Sequence, residues 1–170
     1  NKYFYKRIFD ILFTLILSTL LIPLSLLVTL YIFIDTGFPI LFKQNRGGLN
    51  SKKFTIYKFR TMKKGADKER EMLTSQNDLK GIGFKLHNDP RVTKSGELLR
   101  KFSIDEIPQF INVLKGDMSI VGPRPAPFDE IDRYKTWHRR RLSVRPGITG
   151  PWQLTDRLTT DFNERIRLDL

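Results

Sequence analysis

The longest uninterrupted hydrophobic pattern lies at the start of the chain. From Ile11 to Ile34 no residue is charged, and at a rise of about 1.5 Å per residue a helix of that length reaches across a hydrocarbon core of about 30 Å. Pro23 interrupts the middle of the run. Proline removes one helical hydrogen bond and favours a kink at its preceding turn, and Ser18, Thr19 and Ser25 stand where their hydroxyls reach nearby carbonyls. A secretory signal would be shorter and would end in a small-residue cleavage site, which is missing here. Asp10 and Asp35 bracket the segment and are expected at the headgroup level.

After Gly37-Phe-Pro39 the pattern changes. Ile40 to Phe42 and Phe54 to Phe59 read as short strands around a turn at Arg46-Gly-Gly-Leu-Asn50. Lys63 to Leu73 is a charged helix with little apolar face, expected on the surface. Leu98, Leu99 and Phe102 begin an apolar patch. Ile104, Ile107, Ile111 and Leu114 follow with helical spacing, and Gly116 provides a stop. Phe128, Ile131, Tyr134 and Trp137 recur every three residues among arginines. That spacing suits an amphipathic helix at a membrane interface and a core-facing helix equally.

Charge narrows the class of partner. The 170 residues carry 30 Lys and Arg against 18 Asp and Glu, a net charge of +12, which suits phosphate-bearing ligands or an anionic membrane surface. No nucleic-acid-binding motif accompanies the aromatics. With no cysteine, disulfides and thiolate metal sites are excluded. Basic residues flank the apolar segment on both sides, Lys2, Lys6 and Arg7 before it and Lys43, Arg46, Lys52 and Lys53 after it, so charge bias favours neither orientation of a simple crossing. A helix that enters, bends at Pro23 and returns to the same leaflet keeps both flanks on one side. The residues leave spanning and re-entrant forms open.

Against this basic background, Asp105 and Glu106 stand together on Ser103-Ile-Asp-Glu106. The string fits a capping box, in which Ser103 and Glu106 satisfy backbone donors at a helix start. Capping leaves Asp105 without a role, since it would point about 100° away around the helix. A helix N-terminus favours ionised carboxylates, as a nucleophile or a cation ligand requires. Arg124, between Pro123 and Pro125, presents a guanidinium on a stiff backbone suited to phosphate oxygens. Lys58 and Arg60 share one face if their segment is a strand. His138 has no metal-ligand neighbours and reads as structural.

The stretch from Ser103 to Pro125, together with Lys58-Phe-Arg-Thr-Met62, Asn88-Asp-Pro-Arg-Val-Thr93 and Arg145-Pro-Gly-Ile-Thr-Gly150, resembles the bacterial sugar transferases, the monotopic phosphoglycosyl transferases, over nearly the whole chain. The resemblance implies a mixed, helix-rich α/β fold with an N-terminal re-entrant membrane helix, a short β-hairpin and amphipathic interfacial helices. Residues 1–36 would form the membrane helix and 37–170 a catalytic domain facing the cytoplasm at the bacterial inner membrane. It implies that Asp105 attacks the sugar-bearing phosphate of a UDP-sugar, releasing UMP. The sugar phosphate would then pass to undecaprenyl phosphate, with Glu106 as a Mg2+ ligand.

Arg124, Arg100, Lys58 and Arg60 would bind substrate phosphates, and Arg145, Gly147 and Thr149 would lie near nucleotide or sugar. Membrane phospholipid is an expected partner, nucleic acid is not, and self-association is left open. The family usually continues beyond Asp169-Leu170, in places with a further acidic contributor, and the chain begins at Asn1, so a part of a longer protein is expected. Charge alone would also fit a basic membrane-anchored binding module, and phosphoryl transfer through a ternary complex would dispense with the covalent intermediate.

Overall fold

The computed structural model describes residues 2–69, 72, 73, 75, 77, 82–84, 86, 88–155 and 161–170. It is helix-rich, with two small sheets. Helix α1, Lys2–Thr36, runs through Pro23. It is long and apolar enough to cross a membrane, and its middle is open, with Ile16 and Leu20 70% and 72% exposed. Ser18, Thr19 and Ser25 donate to the carbonyls of Thr14, Ile16 and Leu21. None of these is the Thr19 carbonyl four residues before Pro23, the acceptor that proline's missing N–H leaves without its helical donor.

Both ends of α1 are tied to the rest of the chain. Near its start, Arg7 donates to the carbonyls of Val113 and Leu114 at 2.5 and 2.9 Å. The Asp10 carboxylate accepts from the Ser119 hydroxyl at 2.8 Å and the Ile120 N–H at 3.1 Å. Near its end, Val28 and Ile32 pack with Ile40, Phe59 and Leu99, and Asp35 accepts from the Ser95 N–H at 3.1 Å. Asp10 and Asp35, which bracket the apolar run, thus each accept a backbone N–H from the folded part, Asp10 being buried.

Strands β1, Leu41–Gly47, and β2, Lys53–Phe59, form an antiparallel hairpin with Leu41 opposite Phe59 and Gly47 opposite Lys53. The first strand is longer than its apolar residues indicate, because its polar positions pair across the sheet, Lys43 with Tyr57 and Asn45 with Thr55. The turn therefore falls later, with Asn50 and Ser51 at positive φ. Of the charged helix expected over Lys63 to Leu73, helix α2, Ala66–Glu69, is present; residues 70 and 71 lie outside the described ones.

Helix α3, Lys94–Lys101, starts at Thr93, whose side chain accepts from the Gly96 N–H. The helix expected from Ser103 is divided. Ser103 is left-handed at φ 57 and makes no side-chain cap, Ile104–Glu106 form a 3₁₀ turn, and α4, Gln109–Lys115, begins only after Pro108. The capping box does not form, because a left-handed Ser103 turns its hydroxyl away from the donors and the Glu106 carboxylate is drawn to cations instead. Gly116 ends α4 as expected, at φ 84.

Strand β3, Ser119–Val121, pairs in parallel with β4, Gly147–Thr149. A Cβ on Gly147 would overlap the backbone of Gly122, so the two chain segments touch only because both are glycine. Helix α5 is short, Phe128–Ile131. Of the two readings of the Phe128 to Trp137 pattern, the core-facing one is realised. Ile131 and Tyr134 are buried with Leu142, Phe162 and Ile166, and Trp137 packs against them, while Phe128 is half-buried outside that cluster. Helices α6, Pro151–Thr155, and α7, Phe162–Asp169, complete the fold. His138 is buried, bonded to Asn163 at 3.0 Å and to the Lys135 N–H at 3.2 Å, which is a structural role.

Candidate active site

A cleft of about 620 Å³ opens between the hairpin, the 3₁₀ turn and the loop after β3, and Lys58, Arg100, Asp105, Glu106 and Arg124 all line it. Each arrives from a different element. Lys58 lies near the end of β2, Arg100 in the last turn of α3, the two acids on the turn that Pro108 separates from α4, and Arg124 on the loop leaving β3.

Lys58 is the hub. Its ammonium lies 2.6 Å from the Glu106 carboxylate and 3.9 Å from that of Asp105, and its side chain is only 16% exposed. Arg124, 41% exposed, donates to the same Glu106 oxygen at 3.4 Å. Burial, together with the positive Arg124, pulls Lys58 below the usual lysine range despite both carboxylates. Burial pushes Asp105 above the usual carboxylate range, with neighbouring Glu106 adding to the effect and Lys58 opposing it. Burial acts on Glu106 too, but Lys58 and Arg124 outweigh it and hold that carboxyl below its ordinary value. The two adjacent acids are thus driven in opposite directions. Glu106 is the fixed anion, while Asp105 is a buried carboxylate with a weaker claim on the shared cation.

This polarisation comes from the cleft and not from a helix dipole, since the acids sit on a three-residue turn before α4. Arg100 donates to the Thr61 hydroxyl at 2.9 Å and faces Asp105; burial lowers its pKa. Arg60 also lines the cleft, but one of its terminal nitrogens donates to the Thr36 hydroxyl and to the Gly37 carbonyl, at the exit of α1. It follows β2 and not within it, so strand alternation does not hold it beside Lys58. Arg145 donates to the Gly116 carbonyl at 3.0 Å, and Gly147 and Thr149 belong to β4. These three are not among the cleft-lining residues; they back the loop that carries Arg124.

Sequence reasoning did not anticipate the far half of the cleft. There Glu130, Arg141, Trp152 and Arg165 join the lining. Arg141 donates to the Tyr134 hydroxyl, to the Arg124 carbonyl at 3.1 Å and to Asp169 at 2.5 Å, so its guanidinium links α7 to the backbone of the loop that carries Arg124. Glu130 is raised by burial, and Asp169 likewise despite Arg141. The run Arg139 to Arg141 was the only signal, and it does not say which arginine turns inward.

Among the described residues no cluster of three or more His, Cys, Asp or Glu forms a metal site. Among the described residues lining the cleft, Asp105 and Glu106 are the adjacent carboxylate pair, while Asp89 is taken by Arg91 and Glu130 lies in the far half. That pair fits Mg2+, which takes one or two protein carboxylates and completes its shell with substrate phosphates and water.

The model of the family described as bacterial sugar transferase matches residues 1–170. Galactosyl transferase CpsE of Streptococcus agalactiae serotype III (strain NEM316) is 51% identical over 135 residues, covering 79% of this chain and 30% of that protein. The uncharacterized sugar transferase EpsL of Bacillus subtilis (strain 168) is 41% identical over 165 residues, 97% of this chain and 75% of EpsL. A Salmonella typhimurium protein named undecaprenyl-phosphate galactose phosphotransferase is 38% identical over 170 residues, 98% of this chain and 36% of that protein. The chain spans only about a third of the length of two of these three relatives. The family match spans every residue that lines the cleft, and the chain belongs to the bacterial sugar transferase family.

Proposed function

We propose that this chain is the catalytic part of a phosphoglycosyl transferase that moves a sugar 1-phosphate from a UDP-sugar to a polyprenol phosphate such as undecaprenyl phosphate, the first step in assembling a bacterial surface glycan. The observation that carries the reading is the unequal treatment of two adjacent acids: Glu106 is fixed by Lys58 and Arg124, while Asp105 faces the cleft with one cation at 3.9 Å. The names of the Salmonella protein and of an Aeromonas hydrophila relative, UDP-N-acetylgalactosamine-undecaprenyl-phosphate N-acetylgalactosaminephosphotransferase, support the substrate classes.

In the first half-reaction an Asp105 oxygen attacks the phosphorus bearing the sugar. The Asp105 O–P bond forms, the bond to the bridging oxygen breaks, and that electron pair leaves on UMP. Lys58 and Arg124 face the charge that builds on the phosphoryl oxygens and the leaving group. In the second half a polyprenol phosphate oxygen attacks the same phosphorus and the Asp105 carboxylate is released. Glu106, with Asp105 beside it, would hold Mg2+, which supplies Lewis-acid neutralisation of the diphosphate when bound.

The lipid substrate places this chemistry at a membrane. Both ends of α1 are bonded to the same folded part, Arg7 and Asp10 at one end and Asp35 and Thr36 at the other, which supports a re-entrant helix bent near Pro23 over a spanning one. Residues 1–36 would then anchor residues 37–170 to the cytoplasmic face of the inner membrane.

The test is to mix the purified chain in detergent with a UDP-sugar radiolabelled in the sugar, without lipid acceptor. The expected result is a burst of UMP of no more than one equivalent and a labelled protein adduct, both lost in Asp105→Asn. A strict requirement for polyprenol phosphate before UMP appears would overturn the covalent mechanism.

A further inference from the structure

Most arginines lining the cleft are committed to partners. Arg91 is paired with Asp89, Arg100 bonds Thr61, Arg124 bonds Glu106, and Arg141 bonds Tyr134 and Asp169. Arg165 is different. Its Nε and Nη2 are buried and have no hydrogen-bond partner among the described residues. What holds the guanidinium is aromatic: its carbon lies 5.5 Å from the Trp152 ring centroid and 5.9 Å from that of Phe162. Glu130 attracts it across the cleft without bonding it.

Two buried N–H donors without acceptors carry a desolvation cost that native structures rarely tolerate without a reason. The identity of the two nitrogens supplies one. Nε and Nη2 form the side-on edge of the guanidinium, whose parallel N–H bonds match two oxygens of one phosphate or carboxylate. Arg60 also has two unpartnered nitrogens, but they are Nε and Nη1, which do not form that fork, and its Nη2 is already bound to Thr36 and Gly37. Among the described residues lining the cleft, Arg165 alone thus offers a complete bidentate edge that is both buried and unused, held by stacking on Trp152 and Phe162; Arg124 also bonds through Nη1 only, but its side chain is partly exposed.

We infer that Arg165 is a substrate-binding residue whose Nε–Nη2 edge grips the phosphate of the nucleotide leaving group, the phosphate that is not attacked by Asp105. The assignment rests on the donor reading of the cleft. It divides the diphosphate between two arginines of opposite character. Arg124, on the Asp105 side and partly exposed, meets the reacting phosphate; Arg165, on the far side and stacked, keeps the departing nucleotide in place.

The experiment measures binding of UMP, uridine and inorganic phosphate to the purified full chain by calorimetry, alongside KM for UDP-sugar and for lipid acceptor. In Arg165→Met the UMP dissociation constant and the UDP-sugar KM should each rise at least about tenfold, the scale of a lost charge-assisted pair. Uridine binding and the acceptor KM should stay within about twofold, and Arg165→Lys should restore part of the UMP affinity. Unchanged UMP binding in Arg165→Met, or equal losses for UMP and uridine, would overturn the assignment.

Should Arg165→Met not fold, arginine modification of the wild-type chain by phenylglyoxal, mapped by mass spectrometry, decides instead. UMP should protect Arg165; failure to protect it, or no modification without UMP, overturns the assignment. A wild-type chain that binds inorganic phosphate in an Arg165-dependent way but not UMP would refute the donor reading and leave Arg165 as an anion site.

Discussion

Replacing Lys58 by methionine tests the polarised acid pair most directly. At an effective dielectric of about 20, a unit charge pair at the 2.6 Å Lys58–Glu106 separation gains about 6 kcal/mol, and one at the 3.9 Å Lys58–Asp105 separation about 4 kcal/mol, before desolvation is set against either. Removing one partner of a buried pair leaves the other charge uncompensated and costs about 3–5 kcal/mol. For a chain of this size each kcal/mol lowers the melting midpoint by about 2–4 °C, so a fall of about 6–20 °C is expected in a tryptophan-fluorescence melt in detergent. The pH dependence carries the sharper signature. Asp105 must be ionised to attack, so the UMP burst is present above its pKa and lost as pH falls through it. Burial already raises that pKa, and Lys58 is the largest force opposing the rise. In Lys58→Met the acid limb of the burst rate therefore moves to higher pH. On the alkaline side, wild type loses the Lys58 cation as pH rises through a pKa that burial has lowered, a limb the variant lacks. A melt within about 3 °C of wild type together with an unmoved acid limb would show that Lys58 is merely a solvated neighbour, and the division of roles between Asp105 and Glu106 would fall with it.

Glu106→Gln keeps size but loses the anion that Lys58 and Arg124 hold, so turnover should fall and the Mg2+ titration should move to higher concentration; an identical titration would leave Glu106 as an ion-pair anchor only. Gly96→Ala places a Cβ against the Thr61 carbonyl, where backbone cannot yield cheaply, and should destabilise by about 1–3 kcal/mol while loosening the Arg100–Thr61 bond; a melt equal to wild type would mean α3 shifts without cost. For the membrane helix, single cysteines at Lys2 and Lys43 should both resist a membrane-impermeant thiol reagent in intact cells, and labelling of either one would exclude the re-entrant form.

What the sequence made legible was what depends on local chemistry. The apolar run, the hairpin and the Gly116 stop follow from residue type and spacing, and the family resemblance singled out Asp105, Glu106 and Arg124. The missing parts depend on non-local competition. Ser103-Ile-Asp-Glu106 satisfies the pattern of a capping box, but Lys58, far away in sequence, offers Glu106 a charged partner at 2.6 Å, which a backbone N–H cannot match. The period-three apolar residues of Phe128 to Trp137 carry no information on whether lipid or protein covers them; Leu142, Phe162 and Ile166, from later segments, decide it. Arg60 and Arg145 looked equivalent to Arg124 as basic residues in motifs, and only the fold separates a guanidinium spent on the α1 exit or the Gly116 carbonyl from one turned toward Glu106. Arg165 was invisible for the same reason: nothing local reveals that it will have no partner.

The two acids that bracket the apolar run give the membrane helix a part in the site. Asp10 accepts from Ser119 and Ile120, the first residues of β3, and β3 leads directly into the loop that carries Arg124. Asp35 accepts from Ser95 in the first turn of α3, and α3 leads through Arg100 to the Asp105 turn. The opposite ends of α1 therefore hold the segments bearing the arginine and the two acids. A buried charge is costly unless it is bonded, as the buried Asp10 is; Asp35 is exposed, and each carboxylate accepts a backbone N–H at the root of a segment that lines the cleft. The placement of α1 and the separation of Arg124 from Asp105 are thus coupled through the same few hydrogen bonds, and a folded part detached from α1 would lose these bonds together with the packing of Val28 and Ile32 on Ile40, Phe59 and Leu99.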